Sequence, residues 1–323
     1  MKKKTILITG AAGFIGAAIS IRLLEDDFNV IGVDNLNNYY DIKYKKERLK
    51  SLKKYKKFNF FKVDISDKKD IKKVFALTSP QIVIHLAAQA GVRYSLVNPE
   101  AYFESNLSGF FNILENVKGF DCERLIFASS SSVYGNSSET PYHINLNTDK
   151  PVSLYAATKK SNEVLAYSYN NIYKIPMVGL RFFTVYGPLG RPDMAYFKFT
   201  DMIASGKEIT IFNHGKMSRD MTYIEDIVDG IYSSIELKEF ESESNFQIFN
   251  LGNNSPVSTM DLLSYIENSL GKKAKYKFEE SEIEVKTTWA DISQSKKYLN
   301  YDPKTSFQDG MDKFLNWYKS KFL

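Results

Sequence analysis

Apolar residues in this chain come in short closed runs, and stretches of helical periodicity lie between them. Thr5–Thr9 is a run of β-formers and predicts a buried strand, and residues 17–25 then carry apolar positions at helical spacing. Asn29–Asp34 predicts a second strand. Further strand runs follow at 58–65, 81–88, 124–129 and 177–183. Long helices are predicted over 99–117 and through the segment after Tyr155, where Gly and Pro are absent as far as Tyr167. This alternation predicts an α/β fold built on a doubly wound parallel sheet of the Rossmann type. It breaks after residue 183, at the turn-rich Gly187-Pro188-Leu189-Gly190-Arg191-Pro192. From there the elements are shorter and mixed, with a helix over 225–231 and a strand over Phe246–Leu251. We therefore expect a nucleotide-binding domain at 1–180 and a smaller, partly interleaved C-terminal substrate domain at 181–323. Residues 226–251 are expected to return to the first domain, and the cleft between the two is the expected ligand site.

The junction of the first strand and helix is Gly10-Ala11-Ala12-Gly13-Phe14-Ile15-Gly16. Glycines there let the backbone approach a pyrophosphate at a helix N-terminus, where free N–H groups and the dipole favour negative charge. Asp34 ends the next strand and can accept hydrogen bonds from a ribose. A carboxylate at that point repels a 2′-phosphate, so NAD is expected rather than NADP. Asp64 either reaches the adenine amino group or caps the next helix, a place Asp67 also suits. The strand run through Leu86-Ala87-Ala88 ends in small residues, suited to close approach of a cofactor. His85 reads as a core histidine rather than a catalytic one. Four serines, Ser129 to Ser132, stand at a strand end where such sheets bind ligands.

Tyr155 and Lys159 lie four apart on a predicted helix and share one face. A cation beside a phenol favours phenolate, and a phenol tuned in this way can take a proton from an alcohol and return it. The spacing alone is weak, because the chain holds 21 tyrosines and repeats it at Tyr39 and Lys43. It gains weight from the dinucleotide turn upstream.

Composition narrows the class. The chain has 323 residues, 43% of them hydrophobic, and one cysteine, Cys122, which excludes an internal disulfide framework and a cysteine-rich zinc site. No metal is expected. No apolar run suits a bilayer span, and the N-terminal run meets Thr9-Gly10 too soon for a signal peptide. A cytoplasmic location is expected. The net charge is +5, with much of the excess in residues 43–57. That Lys-rich stretch reads as a solvated helix and loop rather than a nucleic-acid interface.

Several segments together make the chain resemble the extended short-chain dehydrogenase/reductase family. They are Thr9-Gly10-Ala11-Ala12-Gly13-Phe14-Ile15-Gly16, Asp34-Asn35-Leu36, His85-Leu86-Ala87-Ala88, Ser129-Ser130-Ser131-Ser132-Val133-Tyr134-Gly135 and Tyr155-Ala156-Ala157-Thr158-Lys159. The G-x-x-G-x-x-G spacing is that family's own variant. The resemblance implies NAD held by Gly10, Gly13, Phe14, Ile15, Gly16, Asp34, Asn35, Asp64, Ile65, Leu86, Ala87, Ala88 and Asn106. Tyr155 and Lys159 join them, and a catalytic set of Ser130, Tyr155 and Lys159 is implied. It also implies a homodimer paired through the helices containing Asn106 and Tyr155.

Within the family, Asp34-Asn35-Leu36-Asn37-Asn38-Tyr39-Tyr40-Asp41, Gln89-Ala90-Gly91-Val92-Arg93-Tyr94-Ser95, Arg181-Phe182-Phe183-Thr184-Val185-Tyr186-Gly187-Pro188, Arg191-Pro192-Asp193 and Arg219-Asp220-Met221 look most like UDP-glucuronic acid 4-epimerases. The substrate implied is a UDP-sugar. Arg219 suits its diphosphate, Phe212 its uracil, and Ser131, Ser132, Thr184 and Arg191 a sugar carboxylate, with Arg93 also at the substrate. Ile283-Glu284 stands where related enzymes usually carry Gly-Asp near the diphosphate. Related dehydratases carry Asp-Glu where Ser131-Ser132 stands, and a related decarboxylase tends to carry Glu at the second position. Other UDP-sugar epimerases, and an NAD-binding regulatory or RNA-binding protein on the same fold, are the remaining readings.

Overall fold

The chain's architecture comes from a computed structural model that describes residues 3–238, 240, 244–281 and 285–323. Seven strands pair in parallel to form one sheet. They are β1 (Thr5–Thr9), β2 (Asn29–Asp34), β3 (Phe58–Lys62), β4 (Ile82–His85), β5 (Arg124–Ser130), β6 (Met177–Phe182) and the strand Phe246–Leu251. Their order across the sheet is Phe246–Leu251, β6, β5, β4, β1, β2, β3. The winding therefore reverses between β1 and β4, which opens a crevice at their carboxyl ends. Alternation along each strand feeds two cores. Ile6 and Ile8 pack into one with Val30, Ile84 and Ile126, while Leu7 packs into the other with Val33, Val83 and Phe127.

Beyond β6 the chain leaves this sheet. Thr184–Tyr186 pairs in parallel with Ser218–Tyr223, which also takes Pro256–Ser258 and Thr287–Thr288 as neighbours. Glu208–Phe212 pairs with Lys275–Glu279. The helix Ile224–Ile235 then runs back under the main sheet against the helix Phe14–Glu25, and Phe246–Leu251 pairs with β6. Asn250 on that returning strand donates to the carbonyls of Tyr142 (2.7 Å) and Asp291 (3.0 Å) and accepts from the Tyr134 hydroxyl (2.7 Å).

Three elements differ from the sequence reading. β3 stops at Lys62 because Asp64 turns the chain, accepting from the Ser66 amide at 2.9 Å. β4 stops at His85 because its neighbour β1 ends opposite it, at Thr9. The helix expected over 99–117 is a chain of pieces. Asn98 caps Pro99–Tyr102, a π-helical turn spans Phe103–Ser108, and Gly109–Gly119 completes it. The Ile283-Glu284 departure lies outside the described residues.

Candidate active site

A cleft of about 830 Å³ runs from the glycine turn across the ends of β4 and β5 to the C-terminal elements. Its floor is the turn after β1. Gly10 has φ +72°, and a Cβ there would lie 2.8 Å from the Ala87 amide nitrogen; one on Gly16 would lie 2.1 Å from the Gly10 carbonyl oxygen. Only hydrogen at these positions lets the turn sit on the exit of β4. Gly13 caps the helix Phe14–Glu25 with no side-chain bond to its first amides. Those amides point to a cleft lined by Gly13, Phe14, Ile15 and Gly16, as a diphosphate requires.

Asp34 is held ready beside this turn. Its carboxylate accepts from the amides of Ala12 (3.1 Å) and Leu36 (2.8 Å), and the Lys45 ammonium stands 3.8 Å away. Burial lowers the Lys45 pKa, against the pull of Asp34. Asn35 and Ile65 line the cleft as expected, with Leu86, Ala87 and Ala88 opposite. Two expected cofactor contacts are absent from the lining. Asp64 uses its carboxylate on Asn35 (2.8 Å) and Ser66 (2.7 Å to the hydroxyl); against burial, these bonds hold its carboxyl below the usual range. Asp67, not Asp64, caps the following helix. Asn106 lies in the π turn and is 1% exposed. Its amide accepts from Gln89 N at 2.8 Å and donates to Gln89 O and the Thr158 hydroxyl, both at 3.0 Å. It clamps the chain after β4 to the helix bearing Tyr155.

That helix, Leu154–Tyr173, is capped by Ser153, whose hydroxyl accepts from the Ala156 amide at 3.1 Å. The cap places Tyr155 in the first turn, at the cleft, with Lys159 below it. The Ser130 hydroxyl donates to Ser132 Oγ and accepts from the Ser132 amide, both at 3.2 Å, and the ring of Tyr102 meets the Tyr155 ring edge-on at 6.1 Å. The expected electrostatics are reversed in part. Burial raises the Tyr155 pKa above the ordinary phenol, with Ser130 and Arg191 acting the other way. Lys159 is 2% exposed, donates to the Ala128 carbonyl at 2.9 Å, and has its own pKa lowered by burial to about 8. Spacing puts phenol and ammonium on one face; it does not reveal that the pocket desolvates both.

On the far wall Ser131, Ser132, Thr184, Arg93, Arg191, Phe212 and Arg219 all line the cleft. Several of them already have partners. Arg191 grips Asp193 with Nε and Nη2, its Nε at 3.1 Å, and Asp193 also accepts from the Tyr39 hydroxyl at 3.1 Å. The pair is three-quarters buried, so it is no solvent-screened surface bridge. The Arg93 guanidinium lies 3.7 Å from the Phe212 ring centre and covers one face of it. Nη1 of Arg219 donates to the carbonyls of Ser218 (3.0 Å) and Val285 (2.8 Å).

Sequence reasoning missed Asp193, Tyr39, Lys45 and Arg48. The last two sit in the Lys-rich helix Ile42–Leu52, whose buried residues are Tyr44, Lys45, Arg48, Leu49 and Leu52. Four-residue steps through Tyr44, Arg48 and Leu52, and through Lys45 and Leu49, were the available signal.

The model of the NAD dependent epimerase/dehydratase family matches residues 6–252. An uncharacterised protein of Methanocaldococcus jannaschii is 50% identical, over 98% of this chain and 97% of its own. The UDP-glucuronate 4-epimerase of Thermodesulfobacterium geofontis is 44% identical, over 97% and 95%. The crystal structure of UDP-glucuronic acid 4-epimerase from Bacillus cereus, in complex with UDP-glucuronic acid and NAD, superposes with a TM-score of 0.92 at 35% identity; the match covers 98% of this chain and 100% of that one.

His85 lies behind the cleft with Nδ1 2.8 Å from the Thr9 hydroxyl and Nε2 without a partner among the described residues. Burial, then the Lys159 charge, lowers its pKa to about 3. The unfolded chain takes up this proton near pH 6.5 and the folded chain does not. Stability is therefore full above pH 6.5 and falls as pH drops toward 3, by at most about 1.4 kcal/mol per pH unit. Urea unfolding between pH 6.5 and 5 is expected to show this slope, and His85→Asn to flatten it. A variant with the wild-type slope would assign the proton elsewhere.

Proposed function

The chain belongs to the NAD dependent epimerase/dehydratase family, and from that premise we propose that it is an NAD-dependent UDP-glucuronate 4-epimerase, interconverting UDP-glucuronate and UDP-galacturonate. One observation carries the reading: a single cleft is lined by the glycine turn with Asp34, by Ser130, Tyr155 and Lys159, and by Ser131, Ser132, Thr184 and Arg191. We assign a nucleotide-binding domain to residues 1–180 and a substrate-binding domain to 181–323, with 226–251 returning to the main sheet and Arg93, Ser131 and Ser132 reaching the substrate from the first domain.

When bound, NAD supplies a reversible acceptor for the hydride on C4. The protein's part is the proton and the geometry. In this reading Tyr155, as phenolate, takes the proton of the 4-hydroxyl and gives it back after the sugar has turned in the cleft. Its raised pKa means the phenol is protonated in the resting protein. Ser130 and the Arg191 field favour its ionised form, and a bound cationic ring would add to them. Lys159, anchored on Ala128, keeps a cation below the phenol.

The 4-keto form of a glucuronate is a β-keto acid and loses carbon dioxide when the breaking bond aligns with the carbonyl π system. Arg191, Thr184, Ser131 and Ser132 hold the carboxylate out of that alignment in this reading. Asp193 already occupies one edge of the Arg191 guanidinium, so the carboxylate takes the remaining donors.

The helices over Pro99–Gly119 and Leu154–Tyr173 also expose apolar side chains outward: Phe103 is 61% exposed, Phe111 42%, Val164 56% and Ile172 62%. We infer that a second copy covers these faces in a two-fold dimer. The single, buried Cys122 suits a cytoplasmic protein, a placement that cell fractionation checks.

Tyr155→Phe is expected to fold and retain NAD but to lose nearly all turnover; near-normal turnover would remove the proton-transfer assignment. Incubation of the wild type with UDP-glucuronate is expected to yield UDP-galacturonate with little carbon dioxide. A pentose nucleotide as main product would replace the epimerase reading with a decarboxylase. Arg191→Ala is expected to cost roughly 1.5–3 kcal/mol in kcat/KM for UDP-glucuronate, the value of a charge-assisted hydrogen bond. Light scattering at micromolar concentration is expected to give twice the 37.0 kDa chain mass, and a monomer would refute the dimer.

A further inference from the structure

Arg48 belongs to the Lys-rich helix but is only 2% exposed, and all its nitrogens are engaged. Nε donates to the Leu189 carbonyl at 2.9 Å, and Nη2 to the same oxygen at 2.6 Å and to the Gly190 carbonyl at 2.9 Å. Nη1 donates to the Ala12 carbonyl at 3.2 Å and the Tyr40 hydroxyl at 2.7 Å. These acceptors belong to three separate segments. Ala12 is in the glycine turn, and its amide is tied to Asp34. Tyr40 follows Tyr39, which binds Asp193. Leu189 and Gly190 immediately precede Arg191.

The Leu189–Gly190 turn needs such a fastening. Leu189 has φ +57°, a left-handed conformation unfavourable for a branched residue. A Cβ at Gly190 would lie 1.7 Å from the Tyr196 hydroxyl, so the turn is pressed against its own following helix. A guanidinium presents a rigid planar fork of five donors, and here the fork spans the strained turn and the cofactor turn at once. Lysine, with one compact ammonium, cannot bridge both.

We propose that Arg48 is a positioning residue for Arg191: it fastens the loop carrying Arg191 to the glycine turn, so that cofactor and sugar carboxylate are placed from one anchor. This rests on Arg191 facing the carboxylate, as put forward above. Arg48 is not among the residues lining the cleft, and its effect passes through the loop.

The test is a double-mutant cycle on the NAD-loaded protein, titrated with UDP-glucuronate and with UDP. Arg191→Ala is expected to weaken UDP-glucuronate about tenfold while leaving UDP nearly unchanged. Arg48→Lys is expected to lower the same affinity ratio severalfold, with KM for UDP-glucuronate rising more than kcat falls. In the Arg191→Ala background it should change the ratio no further, because a residue acting through Arg191 has nothing left to position. Equal weakening of both ligands by Arg48→Lys, or losses that add in the double variant, would overturn the proposal and leave Arg48 as general support of the fold. If Arg191→Ala itself leaves the ratio unchanged, the carboxylate reading falls, and this proposal with it. Should Arg48→Lys fail to fold, Tyr40→Phe removes one acceptor and keeps the guanidinium; a smaller shift of the ratio, absent beside Arg191→Ala, is expected, and an unchanged ratio would overturn the proposal.

Discussion

A buried ion pair, Glu163 with Arg181, ties together the elements on which the cleft depends. Arg181 projects from β6 and donates with Nε and Nη2 to the two carboxylate oxygens, each at 2.8 Å. Its Nη1 reaches the Tyr134 hydroxyl at 2.9 Å, and Tyr134 in turn donates to Asn250 on the returning strand. Glu163 accepts from the Ser129 hydroxyl at 2.6 Å, next to Ser130. It stands one turn beyond Lys159, on the face of the helix that carries Tyr155. Each side chain of the pair is about 4% exposed. Such a pair is costly to bury and gives little net stability, but breaking it leaves an uncompensated charge. It admits one register of helix against sheet, and with it one placing of Tyr155 against Ser130.

The same burial sets the chemistry of the cleft. Desolvation lowers Lys159, raises Tyr155 and keeps His85 neutral, all within one packed layer. A phenol raised by its pocket is a poor resting base and depends on nearby positive charge at the moment of reaction. Arg191 supplies part of that charge from the opposite wall, while its bond to Asp193 moderates it. Catalytic and substrate residues therefore share one electrostatic system, and the loop that places Arg191 bears on both.

Much of the fold was legible because its signals are local. Ile6, Leu7 and Ile8 announce a strand buried on both faces, and Gly10 to Gly16 a turn into a helix. Tyr155 and Lys159 fall on one face by spacing alone. What sequence could not supply depends on packing. The amide of Asn106, which the family resemblance sets at the cofactor, is held in the π turn against Gln89. Arg48 reads as solvated because six lysines surround it in residues 43–54, whereas its acceptors at Leu189 and Gly190 are 141 and 142 residues away.

The sequence by itself determined the strand order's raw material, the dinucleotide turn, the acid at the end of β2 and the pairing of phenol with ammonium. Each of these depends on residues within a few positions of one another, where periodicity, turn chemistry and helix geometry act. Only the tertiary structure decided that Asp193, the partner of Arg191, also accepts from Tyr39, that Arg48 bridges two loops, and that the Tyr155 pKa is raised rather than lowered. Desolvation and long-range hydrogen bonds depend on what packs around a group, and in this chain those neighbours come from segments far apart in sequence.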